Sequence, residues 1–167
     1  MKIYRSIFFL LLFLMLHKNG FSQETGKPFL DFTAVTTAGQ QMKLTDLTGK
    51  VIFLDFWASW CKPCKEEFPY LIKLYSDYKD SGFVVVAVNV DTDRDKLDKF
   101  INNLGTDVPF TVVIDKEGKI PDLYKLDAMP TSFVIDKKGI IRYRHTGFEL
   151  SDKETYSKEI PELLNQN

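Results

Sequence analysis

The sequence predicts an apolar strand that leads into a pair of cysteines and then into a helix. Residues 51–57 (VIFLDFW) are apolar except for Asp55, which predicts a strand buried on both faces. Cys61 and Cys64 follow and are the only cysteines in the sequence. Apolar residues then recur at spacings of three and four over 65–80, which predicts a helix. Both cysteines are therefore expected at a strand-to-helix junction.

The rest of the sequence alternates strand-like and helix-like segments. A small hairpin is predicted within 27–50, packed on the edge of a larger unit. The tetrapeptide DKKG at 136–139 predicts a second hairpin. The remaining predicted strands are 83–90, 110–114, 132–135 and 140–143, and the remaining helices are 94–104, 151–164 and a short helix or turn at 120–126. This order predicts a layered α/β domain with a mixed sheet.

The first 22 residues have the pattern of a secretory signal peptide. Lys2 and Arg5 give a positive start, residues 7–16 are uninterruptedly apolar, and small residues precede a cut before Gln23. A membrane span needs about 20 apolar residues, so this run is short for one. We therefore expect export to the periplasm or cell envelope, with anchoring by residues 7–16 as the alternative. Residues 23–167 would then form a single domain.

Length and charge narrow the function classes. A chain of 167 residues suits one domain that follows a leader segment. It carries 22 basic and 23 acidic residues, a net charge of −1 at pH 7, so it has no basic excess with which to hold nucleic acid. Two cysteines are also too few for a disulfide-rich scaffold.

The Cys-x-x-Cys spacing has three chemical interpretations. A zinc site needs four ligands, and the only histidine outside the first 22 residues is His145. Haem attachment needs a histidine after Cys64, where Lys65 stands. A redox dithiol needs only the two cysteines, and their place before a helix favours it. We therefore expect no metal and no cofactor other than a redox-active disulfide. The four aspartates within 91–98 lack the glycine and glutamate of a calcium loop, and they predict a solvated helix start instead.

The location predicts different roles for the two cysteines. A helix N-terminus presents unpaired N–H groups and a partial positive charge, which stabilise a thiolate. Cys61 is expected there with its sulfur toward solvent, as the attacking thiol, and Lys62 adds a cation that favours the thiolate. Cys64 is expected to be more buried, as the resolving thiol. Pro63 presets the first helical turn.

Four segments together resemble the thioredoxin superfamily, and within it the TlpA/ResA-like branch of extracytoplasmic thiol–disulfide oxidoreductases. They are FLDFWASWCKPCKEEFPYL, GKPFLDF, LTDLTGKV and AMPTSFVIDKKG. The resemblance covers residues 27–164. It implies a thioredoxin fold with an N-terminal β-hairpin and an insert after the second core strand, to which residues 94–104 would belong.

The resemblance also implies a substrate-binding loop and a buried acid. Met129, Pro130 and Thr131 match the family's cis-proline loop, where the backbone of Met129 would pair with a substrate chain beside Cys61. Asp55 matches the buried aspartate that moves a proton to and from the resolving cysteine. ResA-like members often have a neutral residue at that position, so this chain departs toward thioredoxin itself.

Two more positions belong to the expected site. Glu67 stands three residues after Cys64 and matches a glutamate near the active site of ResA-like proteins; the alternative is a surface glutamate. Its neighbour Glu66 is expected to face solvent. Trp60, directly before the first cysteine, is expected to form the contact surface around the sulfur, together with Lys62 and Pro63.

A reductase is the favoured function. The dipeptide Lys62-Pro63 retains the proline of reducing members and lacks the histidine of oxidising ones, which predicts a potential nearer about −270 mV than about −120 mV. The expected partners are a disulfide- or thiol-bearing extracytoplasmic protein and a membrane thiol carrier as electron donor. One use that the family implies is the reduction of apocytochrome c before haem attachment.

Two alternative functions stay open. Thiol peroxidases share this fold, but they need a Pro-x-x-x-Thr-x-x-Cys run, and residues 53–60 contain neither the proline nor the threonine. A non-catalytic chaperone or peptide-binding module would use the cis-proline groove to bind unfolded chains. Substitution of both cysteines separates this alternative from the others, because binding would survive and exchange would not.

Overall fold

A seven-stranded mixed sheet with helices on both faces forms the centre of the molecule. The computed structural model describes residues 25–166, so the predicted signal peptide at 1–22 lies outside the described residues. The strands are β1 Thr33–Thr36, β2 Gln41–Lys43, β3 Val51–Trp57, β4 Phe83–Asn89, β5 Thr111–Ile114, β6 Thr131–Ile135 and β7 Ile141–Thr146. The helices are α1 Lys62–Tyr78, α2 Arg94–Asn103, α3 Lys119–Tyr124 and α4 Asp152–Leu164. None of the helices in this part of the chain is long and apolar enough to cross a bilayer.

The strand order is β2-β1-β5-β4-β3-β6-β7. The central strands β3, β4 and β5 are parallel, and the other neighbours pair antiparallel. Parallel neighbours need crossover connections, which α1 supplies between β3 and β4 and α2 between β4 and β5. The predicted mixed sheet is confirmed, and the predicted hairpin β1–β2 extends it at one edge.

Strand β3 divides its side chains between the two faces of the sheet, because successive residues of a strand point to opposite sides. All seven of its residues are buried. Phe53 and Trp57 pack in one apolar cluster with the cysteines and the buried faces of α1, α2 and α4. Leu54 and Phe56 pack in a second cluster, which holds the buried residues of α3. Asp55 has the same parity as Phe53, and it therefore points into the layer that contains the cysteines.

The hairpin between β6 and β7 is closed by its own turn residues, as DKKG predicts. Gly139 has a φ of 80°, and a Cβ there would lie 3.0 Å from the ring of Phe29. The carboxyl group of Asp136 accepts hydrogen bonds from the backbone N–H groups of Lys138 and Ile140, each at 2.9 Å. Every other predicted strand and helix is also present, with ends displaced by one to three residues at most.

Candidate active site

The two cysteines form a disulfide at the N-terminus of α1. Cys61 is the last residue before the helix and Cys64 lies in its first turn, with their sulfurs bonded at 2.02 Å. The backbone N–H of Cys64 donates to Sγ of Cys61 at 3.2 Å, so the first cysteine caps the helix. Pro63 stands where its missing N–H is not needed. The partial positive charge of the helix end is thus directed at the sulfur of Cys61.

The sulfur of Cys61 is less exposed than the sequence predicts. Cys61 is 4% exposed and Cys64 is 1% exposed, so only the expected order of burial holds. The expectation that Cys61 faces solvent is wrong for the disulfide form, because its sulfur is bonded to that of the buried Cys64 and accepts the backbone N–H of Cys64. Both cysteines pack in the cluster that contains Trp57. Trp60 is 66% exposed, so the surface beside the disulfide is aromatic.

The loop before Cys61 is held by a carboxyl group from the end of β4. Asp91 is 2% exposed and accepts two hydrogen bonds from Ser59, from its backbone N–H and from its hydroxyl, each at 2.9 Å. It also accepts one from the side-chain amide of Asn89 at 2.8 Å. The sequence prediction of a solvated helix start is therefore wrong for Asp91, although it holds for Asp93, which is exposed and caps α2. Asp91 fixes the approach of the chain to the cysteines.

Replacement of Asp91 by alanine is expected to lower the free energy of unfolding by about 3 kcal/mol. A buried group that loses its hydrogen-bond partner costs about 1–3 kcal/mol, and the substitution leaves the amide groups of Ser59 and Asn89 without theirs. Asp93→Ala is the matched control and removes only an exposed helix cap, worth about 1 kcal/mol. Urea unfolding of both oxidised variants measures the difference. Equal losses in the two variants would contradict the anchoring role.

Trp60 and Met129 line one shallow cavity of about 300 Å³ on the surface, together with Leu126 and Ala128. The Met129–Pro130 peptide bond is cis, as the resemblance implies. Thr131 is buried, and its hydroxyl donates to the carbonyl oxygen of Ala128 at 2.8 Å. The structure thus brings the predicted residues Trp60 and Met129 together. Thr131 is instead the buried first residue of β6, and its hydroxyl ties the strand to the loop rather than facing a substrate.

Asp55 is a buried carboxyl group with an open position for a proton. It is 1% exposed, and its Oδ1 has no hydrogen-bond partner among the described residues. Burial raises its pKa to about 7, and a hydrogen bond from the backbone N–H of Phe56 offsets part of that rise. A carboxyl with such a pKa exchanges a proton readily at neutral pH.

Glu67 is a second buried carboxyl group in the same layer. It is 1% exposed, so the alternative of a surface glutamate is wrong, whereas Glu66 is exposed as predicted. Its Oε1 accepts a hydrogen bond from the hydroxyl of Tyr156 at 3.0 Å, and its Oε2 has no partner within residues 25–166. Burial raises the pKa of Glu67 well above its usual range, and the charge of Asp55 raises it further. The two acids therefore titrate together.

Tyr156 is the residue on α4 that the sequence interpretation missed. Its ring lies 5.0 Å from the ring of Phe53 and 4.9 Å from that of His145, measured between centroids. The signal that could have found it is the helical spacing of Tyr156, Ile160 and Leu163, which marks the buried face of α4. Burial raises the pKa of the Tyr156 hydroxyl, so it stays a hydrogen-bond donor to Glu67.

A polar row crosses the sheet next to these acids. The register places Ser132 of β6 opposite Asp55, and His145 of β7 opposite Ser132. Nε2 of His145 lies 2.8 Å from a carboxyl oxygen of Glu159, a partner that the sequence did not indicate. Within residues 25–166 no three acidic, histidine or cysteine side chains are grouped so as to hold a metal ion.

The comparisons with known proteins agree with this geometry. Residues 25–144 match the model of a family described as the AhpC/TSA family. The thiol-disulfide oxidoreductase ResA of Bacillus anthracis is 38% identical over 138 residues, which are 82% of this chain and 79% of the relative. A structure from Chlorobium tepidum, described as a thiol:disulfide interchange protein DsbE, is 41% identical, with a TM-score of 0.80 over 85% of this chain and 99% of that one. The thioredoxin domain of a thiol-disulfide oxidoreductase from Bacteroides vulgatus gives a TM-score of 0.73 at 26% identity, over 83% and 99% of the two chains. The expected thioredoxin-like fold is confirmed.

Proposed function

The chain belongs to the AhpC/TSA family and is a ResA-like thiol–disulfide oxidoreductase, and from that premise we propose that it reduces protein disulfides outside the cytoplasm. The observation that carries the proposal is the Cys61–Cys64 disulfide at the start of α1, in one buried layer with two acids of raised pKa. The helix end stabilises a thiolate, and the acids accept or return protons.

The reaction begins with the reduced pair. The Cys61 thiolate attacks one sulfur of the substrate disulfide, the substrate bond breaks, and its other sulfur leaves as a thiolate that takes a proton from solvent. Cys64 then gives its proton to the carboxylate of Asp55 and attacks Sγ of Cys61. The bond between Cys61 and the substrate breaks, and the second substrate sulfur leaves as a thiolate that takes the proton from Asp55. The protein is left as the disulfide, and two electrons and two protons from a membrane dithiol carrier restore it.

The substrate contacts are assigned to the residues around the disulfide. We assign the contact surface to Trp60 and Met129, which share a cavity, with Lys62 and Pro63 at the first helical turn. A substrate chain that pairs with the backbone of Met129 would bring its cysteine toward Cys61. Reduction of apocytochrome c is one reaction that this site would support. The pattern of residues 1–22 supports export to the periplasm or cell envelope, followed by a single domain from residue 23.

The direction of electron flow is expected to show in the reduction potential. We expect a value below about −200 mV, because no histidine stands between the cysteines to stabilise the reduced form. Equilibration with a glutathione or dithiothreitol buffer series measures it. Replacement of Lys62-Pro63 by Pro-His is expected to raise the potential by tens of millivolts, where about 30 mV is a tenfold change in the equilibrium constant. A value near about −120 mV would instead make the protein an oxidant.

The cysteine pair favours disulfide exchange over the thiol peroxidase and chaperone alternatives. A thiol peroxidase needs a lone peroxidatic cysteine, whereas Cys61 is bonded to Cys64 in the structure. A chaperone needs no cysteine, so the double variant Cys61→Ser/Cys64→Ser would keep its full effect on the aggregation of an unfolded client. Under the exchange proposal the same variant reduces no disulfide. These two assays on one variant separate the two functions.

A further inference from the structure

A basic cavity flanks the disulfide on the side of α2, away from the cis-proline loop. It measures about 430 Å³, which is in the size range of ligand sites. Its lining includes Ser59, two residues before Cys61, and Lys65, directly after Cys64. Two lining residues of the cavity therefore flank the disulfide in sequence, which puts the cavity beside the sulfurs that exchange.

One face of α2 supplies the other wall of this cavity. Lys96, Lys99, Phe100 and Asn103 are spaced by three and four residues, which places them on the same side of the helix. The lysines and Asn103 are exposed, whereas Phe100 is 8% exposed and gives the wall an apolar part. A ligand that fits this wall carries negative charge beside an aliphatic stem.

The lysines of the cavity have no acidic partners of their own. No acidic residue lines the cavity, and Lys65, Lys96 and Lys99 take part in none of the salt bridges within residues 25–166. On the same helix, by contrast, Arg94 is paired with Asp98. The positive charge of the cavity is opposite in sign to the net charge of the chain after its first 22 residues, which has 19 basic and 23 acidic residues.

We propose that this cavity binds an acidic segment of the protein substrate, adjacent to the cysteine that reacts with Cys61. The proposal rests on the proposed exchange function and adds the class of substrate. Carboxylates of the segment would meet the lysines and the amide of Asn103, while the stem of a glutamate packs on Phe100. The cavity at Trp60 and Met129 lies on the other side of the motif, so the two sides select different parts of one substrate chain. Charge complementarity of this kind speeds encounter and sorts partners.

The test compares disulfide peptides that differ only beside the reacting cysteine. Three peptides carry Glu-Glu, Gln-Gln or Lys-Lys there, and kcat/KM for their reduction is measured at low salt and at high salt. The wild type is expected to favour the acidic peptide over the neutral one by roughly 3- to 10-fold, as two or three partly exposed charge pairs allow. High salt is expected to remove most of the preference, because it screens exposed charges.

Variants assign the preference to the cavity. Lys96→Gln/Lys99→Gln is expected to lose the preference for the acidic peptide while reducing the neutral peptide at the wild-type rate. Lys96→Glu/Lys99→Glu is expected to favour the basic peptide. The control Lys50→Gln/Lys79→Gln removes the same charge from two exposed positions far from the disulfide, one just before β3 and one just after α1. It is expected to keep the preference for the acidic peptide.

Three results would overturn the proposal: equal rates for the acidic and neutral peptides in the wild type, an unchanged preference in Lys96→Gln/Lys99→Gln, or an equal loss on all three peptides in that variant. Absence of reduction of any peptide by the wild type would instead overturn the proposed function itself.

Discussion

Cys61→Ser is expected to reduce disulfide-reductase turnover to below about 1% of the wild-type rate, whereas Cys64→Ser is expected to accumulate mixed disulfides through Cys61. The difference follows from position. Cys61 caps α1, and its sulfur accepts the N–H of Cys64 at 3.2 Å, so a thiolate is stabilised there by the helix end. Cys64 is the more buried of the two, and its sulfur is bonded to that of Cys61. Reduction of insulin by dithiothreitol, with and without the protein, measures turnover, and non-reducing electrophoresis detects the trapped complexes.

The two serine variants serve as controls for each other, because each removes one thiol from the same helical turn. Either variant that unfolds would lose the near-UV circular dichroism of the aromatic cluster around Trp57 and Phe68, whose rings lie 4.6 Å apart. Full reductase activity in folded Cys61→Ser would show that the attacking cysteine has been misassigned. Mixed disulfides that form in Cys61→Ser rather than in Cys64→Ser would exchange the two roles.

The sequence was sufficient for the order of strands and helices but not for all of their ends. Strand β3 has the predicted bounds because its apolar run begins directly after Lys50 and ends at Trp57, and the chain then enters the loop before the cysteines. Helix α1 begins at Lys62, three residues before the periodic pattern, because the cap at Cys61 and the fixed φ of Pro63 start a helix without apolar residues. Strand β7 runs on to Thr146 because it pairs with β6 along its length. Such pairing depends on a neighbour that periodicity does not reveal.

The residues of the site also include some that the sequence predicted and some that it did not. Cys61, Cys64 and Asp55 were predicted because their chemistry is visible in a short stretch of sequence. Asp91 and Tyr156 were not, because each acts on a residue far along the chain: Asp91 on Ser59 at a separation of 32 residues, and Tyr156 on Glu67 at 89. In the sequence, Asp91 looks like an ordinary surface aspartate among other acidic residues. Tyr156 looks like an ordinary core tyrosine of an amphipathic helix. Only the fold assigns the partners.

Asp55→Asn is expected to make the folded protein more stable at pH 8 by up to about 4 kcal/mol and to leave it nearly unchanged at pH 4. In the wild type burial raises the pKa of Asp55 from 3.8 to about 7. The unfolded chain therefore releases this proton at lower pH than the folded protein does, and stability falls as pH rises from about 4 to 7. Each unit of difference corresponds to about 1.4 kcal/mol. Asparagine does not ionise and escapes the cost. Urea unfolding of the oxidised protein at the two pH values measures the effect.

The same substitution is expected to slow exchange at neutral pH by about 10²-fold, the lower range for loss of a general base. Without the Asp55 carboxylate, the thiol of Cys64 loses its proton acceptor, so the mixed disulfide formed at Cys61 resolves slowly. The charge of Asp55 also raises the pKa of Glu67, so the Glu67 pKa is expected to fall in the variant. The rate of thiol alkylation against pH, measured on the reduced protein, is expected to change from a coupled titration to a simpler one.

Glu67→Gln distinguishes a specific role of Asp55 from the general effect of removing one buried acid. Glu67→Gln is also expected to stabilise the folded protein at high pH, because burial raises the pKa of Glu67 as well. The amide oxygen of the glutamine can still accept the hydrogen bond from Tyr156. If Asp55 is the proton acceptor, Glu67→Gln stabilises the protein at high pH with a much smaller loss of exchange rate than Asp55→Asn. Equal losses in the two variants would mean that the acids handle the proton as a pair. Superimposable alkylation curves for Asp55→Asn and the wild type, with unchanged stability at pH 8, would remove Asp55 from the mechanism and leave the proton to Glu67.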